Sequence, residues 1–401
     1  MTAVAIVFWL CVGLLLYAHL GYPLVLWALG HTGASTGGGA VGGPMSEEAL
    51  ATGGHGGSPA ATGPAAGALA EPLVSLIVPA YDEEGVIAAK VANALALDYP
   101  RERLQVIVAS DGSSDATAER ARDAGADLVL ELPPGGKVAA LNAAVEKASG
   151  DLLAFSDANS VWAPEALRRL VAPFADPAVA YVCGQVRFTD PEGGNLEGAY
   201  WRYEMAVREM ESALGGITAG NGAIYAVRRE AYLALPPAGS HDLSFPFLFA
   251  KRGARSLYEP RAQASEKMVP TIEGEWARKR RMMVGLWDIV VGEGMLSPRG
   301  YSPLFAFELF SHRILRYLSP LLHLLALAAN VALLGQGSVY PATLLAQLAL
   351  LGAAALGRWL PATPFRVARY YVLTTASIAA GLWDRARHGA SGRWEKAEGT
   401  R

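Results

Sequence analysis

Charge is scarce in this chain of 401 residues. Asp, Glu, Lys and Arg make up 18%, against 52% apolar residues. That balance points toward a membrane rather than a freely soluble protein. Neither sign dominates: the formal net charge of -3 provides none of the basic surface that nucleic-acid binding requires. Cysteine is nearly absent. Cys11 and Cys183 rule out a disulfide framework, and both read as small buried hydrophobes, so the folded part is expected to face a reducing compartment. Two phosphate-binding motifs are also missing. No P-loop is present, and the first strand runs into "PAYDEEG" where a dinucleotide site would need G-x-G-x-x-G. The glycine runs near Gly37 and Gly42 precede any strand and count as low complexity. His55, His312 and His323 do not form a metal set; the last two read as interfacial or packing residues.

Long apolar runs are present. Residues 4–29 supply the roughly 20 apolar residues that a spanning helix needs. The stretch lacks a charged n-region, which favours an anchor over the alternative of a cleaved signal. Residues 30–71 turn to Gly, Ala, Ser and Thr, the composition of a flexible linker. Past residue 300, residues 301–317 mix aromatics with Glu308, His312, Arg313 and Arg316, as an interfacial amphipathic helix would. Two spans are expected within 318–357. In 358–401 a shorter apolar stretch reads as an interfacial helix, with a short span as the alternative, ahead of a basic tail. The positive-inside rule puts that tail and the arginine-bearing loop before it in the cytoplasm, together with the globular block.

That block, residues 72–300, alternates apolar strands with amphipathic helices. "LVSLIVPAY", "LQVIVAS", "DLVLEL" and "LLAFS" are the strands, and "EEGVIAAKVANAL", "DATAERARDAGA" and "KVAALNAAVEKASG" the helices. This is the pattern of βαβ units and a parallel sheet with both faces covered. In such sheets ligands bind beyond the carboxyl ends of the strands. Three of those ends carry acids: "PAYDEE", "SDGSSD" and "SDANS". Any one acid could be a helix cap, and for Asp115 that reading is preferred. Three acidic ends converging on one crevice suit a divalent cation with its phosphates, or the hydroxyls and ring N–H groups of a nucleoside. Lys137, in "GGKVAALN", opens a helix against its macrodipole. A diphosphate partner would resolve that.

In that order and spacing, "PAYDEE", "SDGSSD", "GGKVAALN" and "FSDANS" resemble the motifs of family 2 glycosyltransferases. "YWRYE", "TAGNGAIYAVRRE", "HDLSFPFLFAKRGARSLYEP" and "RKRRMMVGLW" extend the likeness over residues 72–287. The resemblance implies an α/β GT-A fold, a Rossmann-like nucleotide-sugar-binding sheet with helices on both faces, here joined to α-helical transmembrane segments. It implies a membrane-bound, inverting transfer of a sugar from a nucleotide-sugar, UDP-linked, to a growing polysaccharide or lipid-linked glycan. Alternatives are a single transfer to a polyprenyl phosphate or glycolipid, and a non-catalytic nucleotide-binding scaffold. By position, Asp242 would be the catalytic base. Ala80, Glu83, Asp111, Lys137, Asp157 and Arg281 would bind the nucleotide-sugar, and Asp157 and Asn159 a Mg or Mn cation. Asn221 and Trp201 would lie on the acceptor side. A homo-oligomer or an export partner would be needed for any pore.

The sequence departs from the family pattern at three places. Asp82 stands for the usual Asn. Asn159 replaces the last Asp of the metal triplet, so one ligand brings no charge. The arginine motif reads Arg278, Lys279, Arg280, Arg281, Met282, without the Gln and the Trp that would stack on an acceptor sugar. The missing Trp weakens the expectation of a long polymer.

Overall fold

The computed structural model describes residues 1–32, 71–189, 196–237, 239–267, 272–360 and 362–389. Most of the expected linker at 30–71 and the end of the basic tail fall outside the described residues.

The first hydrophobic segment is helical from α1 (Thr2–Leu16), through a widened π-helical turn (Tyr17–Gly21), into α2 (Tyr22–His31). The globular part begins with β1 (Val74–Ala80), α3 (Ile87–Leu95), β2 (Leu104–Asp111), α4 (Thr117–Asp123) and β3 (Leu128–Leu132). It continues through α5 (Lys137–Lys147), β4 (Leu152–Phe155), β5 (Val161–Trp162), α6 (Ala166–Val171) and β6 (Val179–Thr189). The rest comprises α7 (Leu196–Leu214), β7 (Tyr225–Arg228), α8 (His241–Ala250), β8 (Arg255–Lys267) and α9 (Ile272–Trp287).

All eight strands form one sheet in the order β3-β2-β1-β4-β7-β6-β8-β5. The four strands read from the sequence make its parallel part: β1 lies between β2 and β4, with Val74 opposite both Leu104 and Leu152. Beyond β4 the sheet is mixed, because β7 runs antiparallel to both β4 and β6. The expectation of a parallel sheet therefore holds for one half only. The first connections carry the chain from β1 out to β3, and the next returns it to β4 on the other side of β1. That reversal opens a crevice at the strand ends.

β1 is buried along its whole length, so it reads as a continuous apolar run and not as an alternation. Leu76 joins Val106, Ala154, Trp162 and Leu167 on one face. Its neighbour Ile77 joins Ile107, Leu141, Phe155 and Phe245 on the other. Each such side chain stabilises the fold by roughly 1.5–3 kcal/mol when fully buried, and the sheet centre is rigid for that reason.

The C-terminal segment holds α10 (Pro303–Glu308), a second π-helical stretch (Leu309–Ile314), α11 (Leu315–Ala332), α12 (Val339–Leu356) and α13 (Thr363–His388). The expected break between an interfacial helix and the following span is absent, since Pro303–Ala332 is one continuous helix. Three helices among the described residues are long and apolar enough to cross a membrane: Thr2–His31, Pro303–Ala332 and Val339–Leu356. α1 packs on α11, with Cys11 against Leu322 and Ala326. α13 instead lies along α9. Gly381 sits so close to Met283 that a Cβ would collide with it. Lys279 donates to the Tyr370 hydroxyl at 2.6 Å, and Arg280 pairs with Asp384.

Candidate functional site

Asp111 ends β2 beneath the loop that starts α5. Its two carboxylate oxygens accept hydrogen bonds from the Gly135 and Gly136 N–H groups, at 2.7 and 2.9 Å. Gly136 has φ +89°, a conformation that strains a residue with a Cβ. This fixed turn aims Lys137 across the crevice, where its ammonium is ion-paired with Asp157 at the end of β4. Burial alone would lower the Lys137 pKa. Asp157 beside it, with further contributions from Asp242 and Glu266, outweighs burial and holds the ammonium above the ordinary lysine value. The sequence's oddly placed lysine is thus explained by the acid it meets.

The opposite wall is the 218–222 turn. A Cβ on Gly222 would lie 3.6 Å from Lys137 Nζ and 4.0 Å from Asp157 Oδ2. At Gly220 a Cβ would strike the Tyr181 hydroxyl. Only glycine permits this approach, and it lets the Gly220 N–H donate to the backbone carbonyl of Asp242 at 2.7 Å. Asp242 sits in the first turn of α8. The Ser240 hydroxyl donates to its carboxylate. Asp111, Lys137, Asp157 and Asp242 accordingly belong to one connected site.

His241, the neighbour of Asp242, is buried. Its Nδ1 lies 2.8 Å from the Tyr225 hydroxyl and its Nε2 3.3 Å from that of Tyr232. Burial, with Lys137 nearby, lowers its pKa to about 3. It is a neutral hydrogen-bonding spacer under Asp242.

Sequence reasoning missed two members of the site. Lys90 of α3 is 2% exposed, and its ammonium donates to the Ser160 carbonyl at 2.8 Å. Burial lowers its pKa to about 7, against the opposing pull of Asp157 and Glu266. The available signal was a lysine interrupting the buried stripe Ile87, Val91, Ala94. Glu266 on β8 accepts from the Ser160 hydroxyl. Burial and the charge of Asp157 both raise its carboxyl pKa. β8 showed no pattern that would single it out.

The other candidates fall in several places. Ala80 ends β1 opposite Ser110, and Glu83 is buried just beyond, its N–H held by Thr117 Oγ1 at 2.7 Å. Asp82 accepts from the Ser114 N–H at 2.7 Å, and Asp115 from the N–H groups of Thr117 and Glu84. Asp115 thus braces the turn ahead of α4, whose N-cap position is Ala116. Asn159 lies two residues past Asp157 in the same turn. Asn221 spends its amide within the fold, donating to Gly184 O at 2.6 Å and accepting from the Ala223 and Ile224 N–H groups. Trp201 donates to Val186 O at 2.9 Å and packs edge-on against Phe188. Both have structural roles where acceptor contacts were expected. Arg281 lies half-buried on α9, and Arg278 on the same helix is close enough for its charge to act on Glu266.

Among the described residues no group of three or more His, Cys, Asp or Glu side chains is placed to hold a metal. The smaller oxygen set of Asp157, Asn159 and nearby Glu266 has the hard donors that Mg or Mn prefers. It fits such an ion, with Asn159 as an uncharged ligand.

Residues 75–234 match the sequence model of "Glycosyl transferase family 2". A glycosyltransferase AglE of Haloferax volcanii is 33% identical over 134 residues, 32% of this chain and 44% of that protein. A beta-monoglucosyldiacylglycerol synthase of Trichormus variabilis is 30% identical over 257 residues, 56% of this chain and 52% of that protein. The chain thus spans about half the length of the curated relatives it matches. A mannosyltransferase of Pyrobaculum calidifontis, solved with GDP-Man and Mn2+, superposes with a TM-score of 0.67 at 24% identity, covering 95% of this chain and 99% of that one. That likeness shows the GT-A fold.

Proposed function

We propose, for a chain that belongs to glycosyltransferase family 2 through residues 75–234, an inverting transfer of a sugar from a nucleotide-sugar to an acceptor at a membrane surface. One observation carries the reading. Lys137 is paired with Asp157 and feels the charge of Asp242 in the crevice beyond the strand ends.

In this reading Ala80, Glu83 and Asp111 line the nucleoside end. Asp242 accepts the proton of an acceptor hydroxyl, and that oxygen attacks the anomeric carbon. The bond from that carbon to the diphosphate breaks, and its electron pair leaves on the diphosphate. Lys137, with Arg281 from α9, stabilises the charge that develops there. A divalent cation held by Asp157, Asn159 and Glu266 would supply further positive charge to the diphosphate. Before the diphosphate can be bound, Lys137 must exchange part of its pairing with Asp157. The three long apolar helices support a membrane-bound protein, and the arginines of 357–369 support a cytoplasmic site. The acceptor class is then a lipid or lipid-linked glycan.

The test uses the full chain in detergent with Mn2+ and a panel of UDP- and GDP-sugars. Saturable nucleotide binding, with sugar turnover that Asp242→Asn abolishes while binding persists, supports the reading. Absence of nucleotide binding, or undiminished turnover in Asp242→Asn, refutes it.

A further inference from the structure

A second group of charges lies on the membrane side of the 218–222 turn, and the reaction outlined above makes no use of it. Glu204 and Glu211, one helical face of α7, are buried. His312 from the second π-helical stretch is held between them, with Nδ1 2.7 Å from Glu211 Oε1 and Nε2 3.2 Å from Glu204 Oε1. Arg313 and Arg316 approach Glu204 at 3.2 and 2.8 Å. The Tyr22 hydroxyl of α2 donates to Glu211 at 2.7 Å. Burial alone would raise both carboxyl pKa values, but the neighbouring positive groups hold them low.

Taking so many charges out of water is costly, and apolar replacements of similar volume are often equally stable. Their arrangement has a direction instead. Glu211 accepts from both the N–H and the hydroxyl of Thr218, each at 3.1 Å, and Arg313 Nε donates to that hydroxyl at 3.1 Å. Arg208, one turn from Glu204 and Glu211 on α7, donates to Gly220 O at 3.0 Å. Gly220 N–H in turn holds the Asp242 carbonyl. A second route is apolar: Phe247 of α8 packs with Phe305, Leu309 and Tyr317 of the membrane helix.

We infer that His312, held between Glu204 and Glu211, is a positioning residue that sets the 218–222 turn, and through it Asp242, relative to the membrane helices. The nucleotide side hangs on strand ends. The base would take its position from the helix along which a membrane-borne acceptor arrives. The link to acceptor transfer rests on the proposed function; the mechanical coupling does not.

The experiment compares the full chain with His312→Phe and His312→Gln in nanodiscs. Two readouts are hydrogen exchange of the turn's amides and affinity for UDP and GDP with Mn2+. The third is sugar transfer from the donor found active. The expected result is faster exchange at Thr218 and Gly220 in His312→Phe, with exchange in α3 and α5 unaltered. Transfer falls on the order of 10²-fold, the cost of a misplaced reacting group, while nucleotide affinity is unchanged. His312→Gln, which keeps a hydrogen-bonding side chain, recovers part of both effects. Unaltered exchange at the turn, or a parallel loss of nucleotide affinity, overturns the inference. If His312→Phe fails to fold, Thr218→Val serves in its place under the same criteria. A wild-type chain that binds no nucleotide sinks the glycosyltransfer reading and leaves the exchange result to decide the coupling.

Discussion

The parallel half of the sheet and the half that leans on the long apolar helices handle charge in opposite ways. Around β1, β2 and β4 the charged groups stand at strand ends and face a crevice; the Lys137 and Asp157 side chains keep 35% and 30% of their exposure. Around α7 and α11 the charged groups are sealed, with Glu211 at 0% and Glu204 at 4%. An open pair can exchange one partner for a ligand. A closed network can only keep its members in place. The first arrangement suits binding and chemistry, the second alignment.

Five substitutions, one of them read in a pH scan, would test that contrast. Asp242→Asn should lower kcat by roughly 10²–10⁴-fold, the usual contribution of a general base, and leave nucleotide affinity intact in a titration. Lys137→Met acts on the open half alone. It should lower kcat/KM by about 10²-fold, as loss of one electrostatic contact to a developing anion does, with little change in Tm. Asn221→Ala should do the reverse. Its amide braces the turn, so unfolding should shift by about 1–3 kcal/mol for the buried groups left unsatisfied, with the donor KM unaltered. His241 gives a pH signature. Its pKa is about 3 when folded and about 6.5 when unfolded, so the unfolded chain holds the extra proton between those values. Stability should therefore fall as pH drops from about 6.5 toward 3, by up to about 1.4 kcal/mol per unit from this group. His241→Phe should flatten that slope in a denaturation series. Arg280→Ala should have the smallest effect, since an exposed pair such as Arg280–Asp384 contributes about 0–1 kcal/mol.

The same contrast explains what could be read from the sequence. Asp111 and Asp157 were legible because a parallel strand delivers the residues at its end to the crevice by a local rule, and Lys137 because a lysine opening a helix is out of place; each lies in its own short motif. The bracing roles of Asn221 and Trp201 were not legible, because an amide among glycines and a lone tryptophan give no hint that Gly184 O and Val186 O are waiting for them. His312 read only as an interfacial or packing residue because its partners, Glu204 and Glu211, are about a hundred positions away. Lys90 could have been found: a lysine within the stripe of Ile87, Val91 and Ala94 must either break the helix's packing or find a buried acceptor, and Ser160 O is that acceptor.

The two widened turns, Tyr17–Gly21 and Leu309–Ile314, meet through Tyr17 Oη and Ser311 Oγ at 2.9 Å. One additional residue in a turn re-phases everything beyond it by about 100°. It lets a single rod present His312 and Arg313 inward while Leu321 and Leu324 stay exposed on the outer side. Deleting one residue from 309–314 would remove no reactive group, yet it would rotate the outward stripe into the protein. The spacing of that short segment sets which side of the helix is buried.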